Sequence, residues 1–178
     1  MAKNRKDLAF TRERLDHLHA HAECLRALVG ASPDAPIDAA AVANALKVQV
    51  KYVDGLDVAD FSGMLRFLPN GRPVALLNSQ MTPERANVTL LEELCHLHYN
   101  HPVVSLELQG RTYDEAVEQE AYQTAAAVLL PAVVVAKGVF HRVSVEDLAR
   151  EYGASTELVV MRIKVLSLWP LYSPVQAV

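Results

Sequence analysis

The sequence has only two cysteines, Cys24 and Cys95, too few to staple a disulfide-dependent secreted scaffold. It has no excess of positive charge. A formal net charge of −4 argues against a protein that lives on nucleic acid or on an anionic membrane surface. No apolar run reaches the ~20 residues needed to span a bilayer. The basic opening Met1-Ala2-Lys3-Asn4-Arg5-Lys6-Asp7 has no apolar stretch behind it and does not read as a signal peptide. Repeats and low-complexity segments are missing too. A soluble, cytoplasmic protein is therefore expected. What is present is ordinary globular material: 178 residues, 51% hydrophobic and 21% charged, enough for one domain with a real core.

Residues 7 to 29 predict one amphipathic helix. Leu8, Leu15, Leu18, Ala22, Leu25 and Val29 form its apolar stripe, and Gly30 with Pro33 and Pro36 stops it. His17, His21 and Cys24 recur at i, i+4 and i+7 on the same helix, where an exposed polar stripe is expected rather than a metal face. A short helix follows over Ala39 to Leu46, started by Asp38. Lys47 to Val53 alternates as a strand does, and Phe61 to Leu68 and Arg72 to Asn78 are two further strands joined through Pro69-Asn70-Gly71, a hairpin signal. Thr82 and Pro83 open a helix that runs to about Tyr99, where Asn100 and Pro102 end it. Thr112 with Glu115 reads as the capping box of the next helix, closed by Pro131, and Ala121, Ala125, Ala126 and Ala127 would let a neighbour approach closely. Ser144 to Tyr152 and Ser155 to Leu166 are the last two helices, with Gly153 between them. The expected organisation is an N-terminal helix over 1–30, a core over 31–140 and a helical segment packed on it over 141–178.

The chemistry concentrates between residues 92 and 118. Glu92 and His96 are four apart and share one helical face, with Glu93 rotated by about 100°. This is the geometry of H-E-x-x-H, in which two i, i+4 residues hold zinc and the intervening Glu handles a proton. Here the string is Glu92-Glu93-Leu94-Cys95-His96, with the first histidine replaced. By spacing alone, a solvated polar stripe is the more ordinary reading. His98 and His101 follow closely; they either line the helix end or act on a substrate carbonyl or a vacant ligand position. Cys95 points away from His96 and is expected in the core.

Two longer segments add specificity. Leu77-Asn78-Ser79-Gln80-Met81-Thr82-Pro83-Glu84-Arg85 with Val88-Thr89-Leu90-Leu91-Glu92-Glu93-Leu94-Cys95-His96 resembles the ImmA/IrrE metallopeptidase family, with its Asn-ended strand, Arg, and F-T-L-A-H-E-L-G-H. Glu118-Gln119-Glu120-Ala121-Tyr122-Gln123-Thr124-Ala125-Ala126-Ala127-Val128-Leu129-Leu130-Pro131 is similar to that family's E-x-x-A-N-x-F-A-A-x-L-L-M-P. The resemblance covers residues 37 to 167. It implies an α+β, zincin-like fold in which a small twisted sheet with antiparallel pairing packs on the metal-site helices. It also implies a divalent metal, with His96 and Glu118 as ligands (Glu118 rather than Glu120), Glu92 as the third, and Glu93 as the catalytic base.

The departures bear on activity. Glu92 stands where the family has its first zinc-binding His, Cys95 where it has Gly, Tyr122 where it has Asn, and Thr124 where it has Phe. A carboxylate in place of imidazole adds a negative charge to the ligand set, lessens the ion's Lewis acidity and shifts preference from Zn2+ toward harder ions such as Mn2+. The activity the resemblance implies is cleavage of a repressor or antitoxin protein with a helix-turn-helix domain, serving a mobile element or stress response. A degenerate, non-catalytic partner-binding module that holds no metal is the alternative, and a DNA-binding regulator a third. The tail pattern of Leu148, Ala149, Gly153, Ser155, Val159 and Ile163 fits a helix-turn-helix, but residues 144–166 carry more acids than bases, so direct nucleic-acid contact is not expected. No membrane contact is expected, and a homodimer through the N-terminal helix is one further expectation.

Overall fold

Side-chain caps start most of the helices, as the sequence predicts. The computed structural model describes residues 11–101 and 114–172. Their order is α1 (Arg12–Ala27), α2 (Ala39–Ala45), β1 (Gln49–Val53), β2 (Gly63–Phe67), β3 (Pro73–Asn78), α3 (Pro83–His98), α4 (Glu115–Leu129), α5 (Ala132–Phe140), α6 (Val145–Tyr152), α7 (Thr156–Val165) and α8 (Trp169–Tyr172). Thr11, Asp38, Thr82, Asp114, Ser144 and Ser155 each accept a backbone N–H in the first turn of the helix they precede. The expected capping Thr112 lies outside the described residues, and Asp114 caps α4. The start of the predicted 7–29 helix also lies partly outside them.

The sheet is mixed, in the order β1-β3-β2. β3 runs parallel to β1, with Val50 opposite Ala75, and antiparallel to β2, with Leu65 opposite Ala75. As the central strand, β3 buries Val74, Ala75, Leu77 and Asn78. Gly71, at φ 78°, turns the β2–β3 hairpin as the Asn-Gly pair predicts. A Cβ on Gly63 would meet Thr89 Cγ2 of α3 at 2.6 Å, so glycine lets edge strand β2 close onto that helix. Asn78 ends β3 and donates through Nδ2 to the carbonyls of Leu56 and Phe61, both at 2.9 Å, which fastens the intervening loop beside the sheet. The expected α+β fold, a small mixed sheet with a helical C-terminal region, is the observed one.

α4 runs through the centre of the molecule. Ala121, Ala125 and Ala126 are wholly buried, and their small side chains let α1 and α3 pack close, as expected. α1 buries Leu18, Ala22 and Leu25 in doing so, so a homodimer through α1 would have to use its outer face. α5 was not expected: Val133, Val134, Val135, Val139 and Gly138 are poor helix formers. Burial of Val134, Val135 and Val139, and the contact of Gly138 with Leu148, override that propensity. Among the described residues no single helix is long and apolar enough to cross a membrane; α4 and α5 pass that test only together, bent by 58°.

Two buried arginines finish the core. Arg26 of α1 donates to Val128 O at 2.7 Å and to Ser32 O at 2.8 Å. Arg162 of α7 donates from Nε to Leu130 O at 3.1 Å and lies 3.2 Å from His19 Nε2. Both reach the last turn of α4, whose final carbonyls lack helical partners and carry the negative end of the helix dipole. Burial lowers the Arg162 pKa to about 10, which leaves the guanidinium cationic at neutral pH. Arg26→Met should fill the space yet leave buried carbonyls without donors. Unfolding in urea should show a loss of about 3 kcal/mol; a loss below about 0.5 kcal/mol would show that water replaces the guanidinium.

Candidate metal centre

Down the axis of α3, His96 lies about 40° from Glu92 and about 60° from Glu93, between the two carboxylates. Its Nε2 is 3.5 Å from Glu118 Oε1 of α4. Two ligand atoms, each ~2.0–2.2 Å from a tetrahedral ion, stand ~3.3–3.5 Å apart. The pair therefore fits two ligands sharing one cation. Burial, reinforced by His101, lowers the His96 pKa to about 4, so the ring is neutral near pH 7, the form that ligates metals. Among the described residues, no group of three or more His, Cys, Asp or Glu side chains gathers closely enough to hold an ion. His96 and Glu118 form a candidate ligand pair, and Glu92 stands one turn away from His96 on the same helix.

Glu92 lines a cavity of about 740 Å³. Ser62 ahead of β2, Arg85 and Thr89 of α3, Tyr122 of α4 and the 153–155 turn between α6 and α7 complete much of its wall. Tyr122 is one turn beyond Glu118 on α4, as Glu92 is one turn before His96 on α3. Glu93 is half-buried at the next position around the helix and does not line the cavity. Gly153 holds φ at 58° and accepts from Asn87 Nδ2 at 3.0 Å, which pins the α6–α7 turn to α3. The helix-turn-helix-like tail thus packs on the core and forms one side of the cavity.

Behind His96 lies a histidine cluster that spacing alone did not reveal. His101 Nδ1 is 3.0 Å from His96 Nδ1, and its Nε2 is 3.2 Å from Glu120 Oε2. The other oxygen of Glu120 is 3.8 Å from His17 Nε2. Tyr99 stacks on His101 with 12° between ring planes, and its hydroxyl meets Thr124 Oγ1 at 2.8 Å; burial pushes the Tyr99 pKa up to about 12. His21 Nδ1 is 2.9 Å from His98 Nε2, and its ring also packs on Tyr99. The expected exposed stripe along α1 holds for His17 and Cys24, whereas His21 is partly buried against α3; His17 stays exposed while approaching Glu120 of α4. The i, i+4 spacing of His17 and His21 and the run of three histidines at 96, 98 and 101 were the available signals. Cys95 is fully buried, as expected, and burial raises its pKa well above the ordinary thiol value.

Buried neutral histidines make the metal-free protein acid-sensitive. The unfolded chain protonates His96 near 6.5, whereas the folded ring resists until about 4. Stability is therefore complete above about 6.5 and falls as pH drops toward about 4; His19 and His98, also lowered chiefly by burial, act with the same sign. His96→Gln should flatten this slope, by up to about 3 kcal/mol. Urea unfolding in a chelating buffer at several pH values reads it, and identical slopes in the two proteins would contradict the burial of a neutral ring.

The family model of the IrrE N-terminal-like domain, peptidase family M78, matches residues 43–164. Among solved structures, a Mycobacterium tuberculosis transcriptional regulator is similar, with a TM-score of 0.59 and 17% identity over 84% of this chain and 46% of that one. The likeness is one of fold, and the chain spans less than half the length of that regulator. No curated protein matches. With most of its length matched by the family, sheet, central helices and tail included, the chain belongs to the IrrE N-terminal-like peptidase family.

Proposed function

We propose that the chain is a metal-dependent endopeptidase of this family, acting in the cytoplasm on a helix-turn-helix repressor or antitoxin protein. The observation that carries this reading is the 3.5 Å approach of His96 Nε2 to Glu118 Oε1. A zinc or manganese ion would be held by these two side chains, with Glu92 as the third. When bound, such an ion supplies Lewis acidity, which polarises a peptide carbonyl and lowers the pKa of water. Glu93, which stands beside His96 on α3 and just outside the cavity's lining, would take the proton of the attacking water on a carboxylate oxygen and return it to the leaving amine. Ser62 lines the cavity directly before edge strand β2, so an extended substrate segment can pair along β2 and enter the cavity. The likeness to a transcriptional regulator supports a regulatory setting.

A second reading has its own support. Glu92 replaces a histidine, and no three-ligand group is assembled among the described residues. A module that holds the same partner in the cavity without cutting it agrees with both facts.

Calorimetry should find one equivalent of zinc or manganese, weakened at least about tenfold by His96→Ala or Glu118→Ala. Glu93→Gln should keep the metal and abolish cleavage of a co-encoded repressor, because the near-isosteric amide takes no proton. Near-wild-type cleavage by Glu93→Gln would remove Glu93 from its role. Glu92→His should raise zinc affinity by about tenfold or more, since it removes a carboxylate charge and supplies a ligand that suits zinc. If neither parent nor Glu92→His binds metal, the partner-binding module is the correct reading.

A further inference from the structure

The cavity beside the candidate centre carries charge of both signs, and most of it is already committed. Arg150 is paired with Asp147 at 2.7 Å. Glu157 is held by the start of its own helix, where a backbone N–H, with the Ser155 hydroxyl, keeps its carboxyl below the usual carboxylate range. Glu84 stands in the first turn of α3, where the positive end of the helix dipole favours a carboxylate. Arg85 differs. Its Nη2 donates to Val58 O at 3.4 Å, and no carboxylate pairs with it among the described residues. A guanidinium offers five N–H donors in a planar fork, so this wall of the cavity holds a cation with donors to spare.

Position makes that cation relevant to a bound chain. α3 turns by about 100° and rises by about 1.5 Å per residue, so Arg85, Glu92 and His96 lie within about 40° of one another around its axis. Arg85 stands on this shared face about 10 Å before Glu92 and about 16 Å before His96. Edge strand β2 begins over the same stretch: Ser62 lines the cavity with Arg85, and Gly63 closes onto Thr89, one turn beyond Arg85. Val58, which accepts from Arg85, belongs to the β1–β2 loop that Asn78 fastens through Leu56 O and Phe61 O. The guanidinium is thus set against a carbonyl of a fastened loop, beside the strand that a partner chain would extend.

We propose that Arg85 is a specificity-determining residue that takes the carboxylate of an Asp or Glu side chain in the partner protein held by the cavity. The inference rests on a chain pairing along β2, as proposed above, and holds whether or not that chain is cut. An extended segment advances ~3.3 Å per residue, so the ~16 Å between His96 and Arg85 corresponds to about five residues. The acidic residue therefore lies about five positions from the bond brought to His96. Arginine suits the task, because its fork meets both oxygens of a carboxylate, a geometry that lysine does not offer. A basic residue at the same position of the partner meets like charge and is rejected.

The test uses the full chain and a displayed library of random peptides. Binding is selected on Glu93→Gln protein, so that captured peptides stay whole, and cleavage is read with the zinc- or manganese-loaded parent. Retained peptides should be enriched in Asp or Glu at one position. Adding Arg85→Gln should remove that enrichment and weaken the best acidic peptide about three- to tenfold, a difference that shrinks at high salt. Arg85→Lys should keep part of the preference, and Arg85→Glu should exchange it for Lys or Arg. Arg85 is exposed, so these substitutions leave the core intact. In cleaved peptides the acidic residue should fall about five positions from the cut. A library that yields no acidic enrichment overturns the inference, and so does an affinity unchanged within about twofold in Arg85→Gln. Acid-selective binding without cleavage leaves the inference standing while the endopeptidase reading fails. Cleavage with no preference that depends on Arg85 does the reverse.

Discussion

Two buried guanidinium groups at the C-terminal end of α4 are the interaction on which the rest of the molecule depends. α4 is the central helix, and its alanine-rich surface offers little side-chain bulk to lock it against its neighbours. Its last carbonyls end inside the protein, where unpaired acceptors would cost ~1–3 kcal/mol each. Arg26 and Arg162 come from helices at opposite ends of the chain and both bond to this one turn. They satisfy the carbonyls, oppose the helix dipole and tie α1, α4 and α7 together. With its end fixed in this way, α4 carries Glu118 and Glu120 to the two nitrogen faces of the histidine pair.

The site follows from how α3 and α4 meet. One turn of α4 supplies two carboxylates with different tasks: Glu118 faces His96 directly, and Glu120 faces His101 behind it. One turn before His96 on α3 and one turn beyond Glu118 on α4, Glu92 and Tyr122 line the cavity. Glu92 thus stands between the His96–Glu118 contact and the cavity. Gly153 and Asn87 join the α6–α7 turn to α3, and this turn becomes a wall of the cavity.

Much of this architecture was readable in the residues. Asp38, Thr82, Ser144 and Ser155 are caps that act within three residues of themselves, and Asn70-Gly71 makes its turn from its own backbone freedom, so local chemistry decides them. The pairing of His96 with Glu118 was also foreshadowed, because two motifs in the right order imply two helices that must meet. α5 was not legible: its valines and glycine argue against a helix, and only their burial against α6 and neighbouring elements makes one. The joining of His17 and His21 to Glu120 and His98 was hidden for a related reason. A histidine on a polar stripe looks the same whether it faces water or another helix.

The sequence by itself therefore determined the α+β class, the family and the starts of helices such as those at Asp38, Thr82, Ser144 and Ser155, because caps and turns act over a few residues. Only the tertiary structure decided what stands on the far side of each ligand. The partnership of Arg26 with Val128, of His21 with His98 and of His101 with Glu120 joins residues on different helices, and their contacts depend on helix packing. Packing is set by the summed shape of the core, by small alanines on α4 and buried leucines on α1 and α3, and no local pattern encodes that sum.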